Sequence, residues 1–192
     1  MESWQDYLLK LRDIGNIGDV SPNLELLQTE LIEVINSENG IVFTAGNGGS
    51  ASTAEHFSAD LSQMRKRVKT NCKSICLNSS VSLNSALAND LSYSETLQYI
   101  FESLINESSM LITFSASGNS ENIYRLHRLA KERGLSAWAF LGFDGGRALE
   151  IVKDRNILFT TTIGSYGLVE NLHLSATHFL VDGLVDHFRN NT

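Results

Sequence analysis

Five short apolar runs, at residues 40–45, 74–77, 110–114, 136–141 and 156–162, recur along the chain and alternate with longer stretches of helical periodicity. Those stretches fall at about 51–66, 82–89, 94–106, 120–133, 145–152 and 167–189. Two further amphipathic helices are predicted ahead of the alternation, at 4–13 and 22–37. A Gly/Asp/Ser/Pro break over 15–22 separates them, and Ser21 or Asn23 is the expected cap of the second. Short apolar strands divided by helices imply βαβ units and a parallel sheet covered on both faces. The predicted fold is therefore α/β: a five-stranded parallel sheet in a three-layer, flavodoxin-like arrangement, with an N-terminal helical extension. Pro22 is the only proline and precedes the alternation, and no repeat or low-complexity linker interrupts it. One domain over 1–192 is expected, with helices in 1–38 and the α/β core in 39–192.

In such folds ligands bind at the carboxyl ends of strands, and two loops there carry chemistry. Ser115-Ala116-Ser117-Gly118-Asn119-Ser120 follows the strand-like run Met110–Phe114 and precedes a helix. A helix start leaves backbone N–H groups without partners at the positive end of the dipole, and small hydroxyl side chains add donors without filling the space. A polar βα loop with a helix cap satisfies the same pattern. The second loop, Gly46-Asn47-Gly48-Gly49-Ser50, shifts the balance. It again follows an apolar run, and its glycines let successive N–H groups converge on an anion. The spacing fits neither the dinucleotide fingerprint nor the P-loop, and no Lys follows to reach a triphosphate. A small phosphorylated metabolite is the predicted ligand.

The net charge of −7 argues against nucleic acid as a main partner. An anionic substrate must then be held by local dipoles rather than by the global field. The one dense basic run, Arg65-Lys66-Arg67-Val68-Lys69, reads as a solvated helix end. Cys72 and Cys76 are too few for a disulfide framework and are expected as reduced thiols. No apolar stretch approaches the roughly 20 residues that span a bilayer, and Met1 to Asp6 lack the basic start and apolar centre of a secretory signal. Cytoplasm is the expected location, with no membrane partner.

His56 and Asp60 lie four apart on the helix after the glycine loop and so share a face. The last helix carries Glu170, Asn171, His173, Thr177 and His178. Two histidines and two carboxylates on two helices suit a divalent transition metal, with zinc the first expectation. Glu170 and His178 are eight residues apart, roughly 12 Å along a straight helix. They share an ion only by reaching toward each other, or one of them belongs to a neighbouring site. His127 is expected on an exposed helix face, and His173 and His187 at the surface or as hydrogen-bonded core residues.

Taken in order, Gly46-Asn47-Gly48-Gly49-Ser50, His56-Phe57, Ala88-Asn89-Asp90, Ser115 to Ser120, Asp144-Gly145-Gly146 and Glu170-x-x-His173-x-x-x-x-His178 resemble the sugar isomerase (SIS) domain of the phosphoheptose isomerase type. The likeness covers about residues 20–189. It implies a homotetramer, packed partly through the N-terminal helices, with active sites at subunit interfaces. The implied activity is aldose–ketose isomerisation of sedoheptulose 7-phosphate to D-glycero-D-manno-heptose 7-phosphate for lipopolysaccharide or related glycans. By this resemblance Ser115, Ala116, Ser117 and Ser120 correspond to the phosphate-binding loop. Asn47, Gly48, Gly49 and Ser50 correspond to the glycine-loop contacts, and Asp90 to a sugar-hydroxyl contact. His56, Asp60, Glu170 and His178 fall where the family places its zinc ligands, Glu170 also where it contacts substrate. His178 stands where the family has an acid/base histidine.

The chain departs from the family where Asp60 replaces the usual Glu, the proton-abstracting base. It departs again with Glu170 for Gln, Ala116 for Thr and Gly167 for Asp. The phosphate end is kept while the sugar and metal end is altered. A sister branch that binds a replication-initiator protein lacks the histidine of the last helix, so His178 favours an enzyme over a non-catalytic scaffold. A fused sensor domain is the remaining, lowest-ranked reading.

Overall fold

The computed structural model describes residues 3–162 and 164–191. Its five strands, β1 (Ile41–Gly46), β2 (Ser74–Cys76), β3 (Ser109–Ser115), β4 (Ser136–Phe143) and β5 (Asn156–Thr160), form one parallel sheet in the order β2-β1-β3-β4-β5. The eight α-helices among the described residues are α1 (Trp4–Gly15), α2 (Ser21–Asn36), α3 (Gly49–Gln63), α4 (Val81–Asp90), α5 (Tyr93–Leu104), α6 (Glu121–Glu132), α7 (Gly146–Val152) and α8 (Tyr166–Asn190). The predicted three-layer α/β architecture is the one observed.

Strand alternation assigns each apolar side chain to a layer. Met110, Ile112 and Phe114 of β3, with Trp138 and Phe140 of β4, point into a core shared with α1, α2, α3 and α8. Leu111, Phe43 and Ala45 point the other way, against α5 and α6. Phe114 stacks on Phe140 with ring centroids 4.7 Å apart and meets Phe57 of α3 edge-on. Trp138 is fully buried, and its indole N–H donates to Glu30 of α2 at 3.0 Å. Glu30 also accepts from Ser136 and Arg155, so one carboxylate ties α2 to the starts of β4 and β5.

Some local expectations are corrected. Neither Ser21 nor Asn23 caps α2. Pro22 sits in its first turn, where a missing N–H costs nothing, and the Asn23 amide donates to the carbonyls of Asp154 and Asn156. The helix expected over 51–66 begins earlier, at Gly49, and ends at Gln63 with a 3₁₀ turn over Met64–Lys66. His127 is not exposed: at 2% accessibility it faces the core, sharing a 2.7 Å hydrogen bond with Thr113 of β3. His173 is buried among Phe114, Phe140 and Phe159 and donates to the Leu141 carbonyl. Burial holds both imidazoles neutral, pushing each down to about 4. Cys72 and Cys76 are buried free thiols, with Cys72 pushed up to about 12 by desolvation.

Candidate phosphosugar site

β1 and β3 are neighbours, yet the chain leaves them in opposite directions, through α3 to β2 and through α6 to β4. The two helices start on opposite faces of the sheet and open a crevice between them, the switch point at which α/β sheets bind ligands. Both phosphate-type loops lie there: Gly46 pairs in register with Phe114, so Asn47–Ser50 and Ser115–Ser120 emerge side by side. Neither N-cap residue of α3 or α6 caps its helix with a side chain. Ala51 N–H and Ile123 N–H are engaged locally, which leaves the leading N–H groups of each helix, at Gly49 and Ser50 and at Glu121 and Asn122, for an anion.

A second set of contacts fixes the serine loop. The Ser115 hydroxyl accepts from Gly118 N–H and the Ser117 hydroxyl from Asn119 N–H. Gly118, at φ +62°, packs against the Gly145 carbonyl, and its own carbonyl accepts from Ala148 N–H. Arg147 N–H donates to the Asn119 side chain. The Asp144-Gly145-Gly146 turn is thus the floor on which the serine loop rests. Glu121, in the first turn of α6, is held below the usual carboxylate range by its hydrogen bonds to Arg147 and Arg125.

Beside the crevice, α3 and α8 cross and bring His56, Asp60 and His178 together. The Nε2 atom of His56 lies 3.0 Å from that of His178 and 3.2 Å from Asp60 Oδ2, and His178 Nε2 lies 3.8 Å from the same oxygen. Ligand bonds of 2.0–2.2 Å in a tetrahedron put donor atoms about 3.3–3.6 Å apart. Three donors of this chemistry at this spacing, on half-exposed histidines, fit zinc with room for a further ligand. An open depression of about 370 Å³, lined by Asp60, Gln63, Arg67, His178, Val181 and Asp182, adjoins the cluster.

The structure does not bring Glu170 into this group. Its carboxylate lies over Gly49, where an added Cβ would come within 2.3 Å of Oε2, at the start of α3. Two helical turns of α8 separate it from His178. Ser50 and Ala116 are buried in the crevice walls. Asp90 ends α4 as an exposed side chain accepting from Asn89. Sequence reasoning missed Asn78, whose side chain holds both the N–H and the carbonyl of Gly46, and the Asn122 and Tyr93 side chains that grip Asn47. No periodicity marks such residues; they become visible only once neighbouring loops are placed.

A switch-point crevice with two helix starts free of N-cap side chains, and an imidazole–carboxylate cluster beside it, defines an α/β domain suited to a small anionic ligand. The chain belongs to the SIS domain family, which matches residues 21–142. Within it, the chain is 32% identical over 158 residues to a phosphoheptose isomerase of Helicobacter pylori, covering 82% of this chain and 80% of the relative. It is 35% identical over 143 residues to that of Nitratidesulfovibrio vulgaris, covering 74% and 67%. The fold matches the solved phosphoheptose isomerase of Neisseria gonorrhoeae with a TM-score of 0.81, at 22% identity over 94% of both chains.

Proposed function

We propose that this chain is an aldose–ketose isomerase that converts sedoheptulose 7-phosphate to D-glycero-D-manno-heptose 7-phosphate through a cis-enediol. The observation that carries the reading is the His56–Asp60–His178 cluster set beside two adjacent helix starts free of N-cap side chains. The N–H groups at Gly48–Ser50 and the loop of Ser115, Ala116, Ser117 and Ser120 hold the phosphate dianion, so remote binding energy positions the reacting carbons. Asp60 takes a proton from C1 of the ketose, and the proton returns to C2. His178 moves the hydroxyl proton between O1 and O2 as the carbonyl migrates. His56, Asp60 and His178 would hold a zinc ion, and Glu170 would join them only by reorienting toward the cluster. When bound, the metal polarises the sugar oxygen that gains charge. Asp90 and Glu170 meet sugar hydroxyls in this reading.

The same proposal assigns one SIS domain to the whole chain, a cytoplasmic location, a homotetramer with sites at subunit interfaces, and a role in supplying lipopolysaccharide or a related glycan. No helix among the described residues is long and apolar enough to cross a membrane. The His178–Asp60 pairing weighs against the scaffold alternative. Incubation with sedoheptulose 7-phosphate in deuterated water tests the chemistry: solvent deuterium is expected at C2 of the aldose. An unlabelled, unconverted sugar would refute the assignment.

A further inference from the structure

The structure assigns Asn122 and Tyr93 as positioning residues that lock the two phosphate-binding loops into one rigid cradle; the identity of the ligand rests on the reading above, the lock does not. Asn122 stands in the first turn of α6 and is only 2% exposed. Its side chain pairs reciprocally with that of Asn47 across the crevice. Asn47 Nδ2 donates to Asn122 Oδ1 at 2.9 Å, and Asn122 Nδ2 donates to Asn47 Oδ1 at 2.8 Å. The Asn122 oxygen also accepts from Ile123 N–H at 3.0 Å. Tyr93, the first residue of α5, donates its hydroxyl to Asn47 Oδ1 at 2.6 Å, although its ring is 62% exposed.

Both lone pairs of Asn47 Oδ1 are therefore occupied, and its amide keeps one free N–H. Asn47 has no acceptor left, so its side chain serves first as a pin and could meet a ligand only through that one remaining donor. What it pins matters. Gly48 and Gly118 both sit at positive φ, and loops of this composition lose much entropy when ordered by a ligand. With Asn47 fixed to α6 on one side and to α5 on the other, the two helix starts are held relative to one another before the anion arrives. Preorganisation of this kind appears as affinity. Tyr93 also follows Asp90 by three residues, so the same hydrogen bond fixes the approach of the segment that carries it.

The test uses Tyr93→Phe, which removes one exposed hydroxyl and leaves the core untouched, and Asn122→Leu, which keeps the branching of the side chain but removes its polar atoms. The binding probes are inorganic phosphate and sedoheptulose 7-phosphate, followed by calorimetry and ³¹P NMR, with steady-state kinetics alongside. Tyr93→Phe is expected to weaken phosphate binding about tenfold, the loss of one hydrogen bond's worth of organisation, and Asn122→Leu by more, because it removes both bonds to Asn47 and the one from Ile123 N–H. In each variant KM should rise by the same factor, with kcat within about twofold of the parent. The double variant should lose less than the product of the single losses, because both act through Asn47. Unchanged phosphate affinity in Tyr93→Phe and in Asn122→Leu overturns the assignment, as does a fall in melting temperature with no change in KM. If the parent binds phosphate but turns over no heptulose phosphate, while both variants bind phosphate more weakly, the lock stands and the isomerase reading fails. A parent that binds no phosphate at millimolar concentration overturns both.

Discussion

His56 and His178 present their Nε2 atoms to one another at 3.0 Å across 122 residues of sequence, one from the middle of α3 and one from the middle of α8. Two imidazoles at that distance either share a single proton or face a common cation. Asp60 Oδ2 lies within reach of both.

Removal of the metal is the direct check on that cluster. Protein purified without chelator is expected to carry about one zinc per subunit by elemental analysis. His56→Ala and His178→Ala should each abolish retention while leaving the helical circular dichroism unchanged, because both side chains are half exposed. Full zinc content in either variant would place the ion elsewhere.

Asp60→Asn should lower kcat by about 10²–10⁴, the range of a lost general base, while phosphosugar binding persists. The two readouts separate the acid–base end from the phosphate end. Wild-type turnover in this variant would remove Asp60 from the role of base.

Stability should fall steeply in mild acid. His127 and His173 titrate near 4 in the folded chain and near 6.5 when unfolded. Above 6.5 neither state binds these protons, and the full stability is present. As pH falls from 6.5 toward 4 only the unfolded chain takes them up, so each histidine costs about 1.4 kcal/mol per pH unit. Urea midpoints at pH 7.5 and 5.0 measure the slope, and His127→Leu should make it shallower. An unchanged slope would mean that His127 titrates normally.

Gly118→Ala is expected to destabilise the fold by about 3 kcal/mol and to weaken phosphate binding. It forces a side chain onto φ +62° and puts a Cβ within 1.9 Å of the Gly145 carbonyl, a main-chain group that cannot swing aside. Chemical denaturation and phosphate titration check the two effects separately.

Much of this was legible in the chain because periodicity is a local signal. All five strands and all eight helices fall within a few residues of the predicted stretches. Errors occurred where glycine or polarity misled. Gly49 reads as loop but opens α3. His127 reads as exposed, yet Ile123, four residues earlier, and Leu126 place it on the buried face of α6. For the site, the loop compositions pointed to an anion, and the i, i+4 pair of His56 and Asp60 pointed to shared chemistry. Their junction with His178 was read first from the donor chemistry of the two helices and then from the resemblance. The Asn47–Asn122 amide pair and the Asn78 grip on Gly46 join residues 75 and 32 apart, which no window along the chain reports.

A cradle built from main-chain amides has no side chain whose loss would remove its charge. The anionic handle of a substrate can stay in place while positions such as Asp60, Glu170 and Gly167 drift. Ancestral changes at the far end of the crevice would then retune which carbon skeleton is accepted without first losing the grip that makes any such skeleton a ligand.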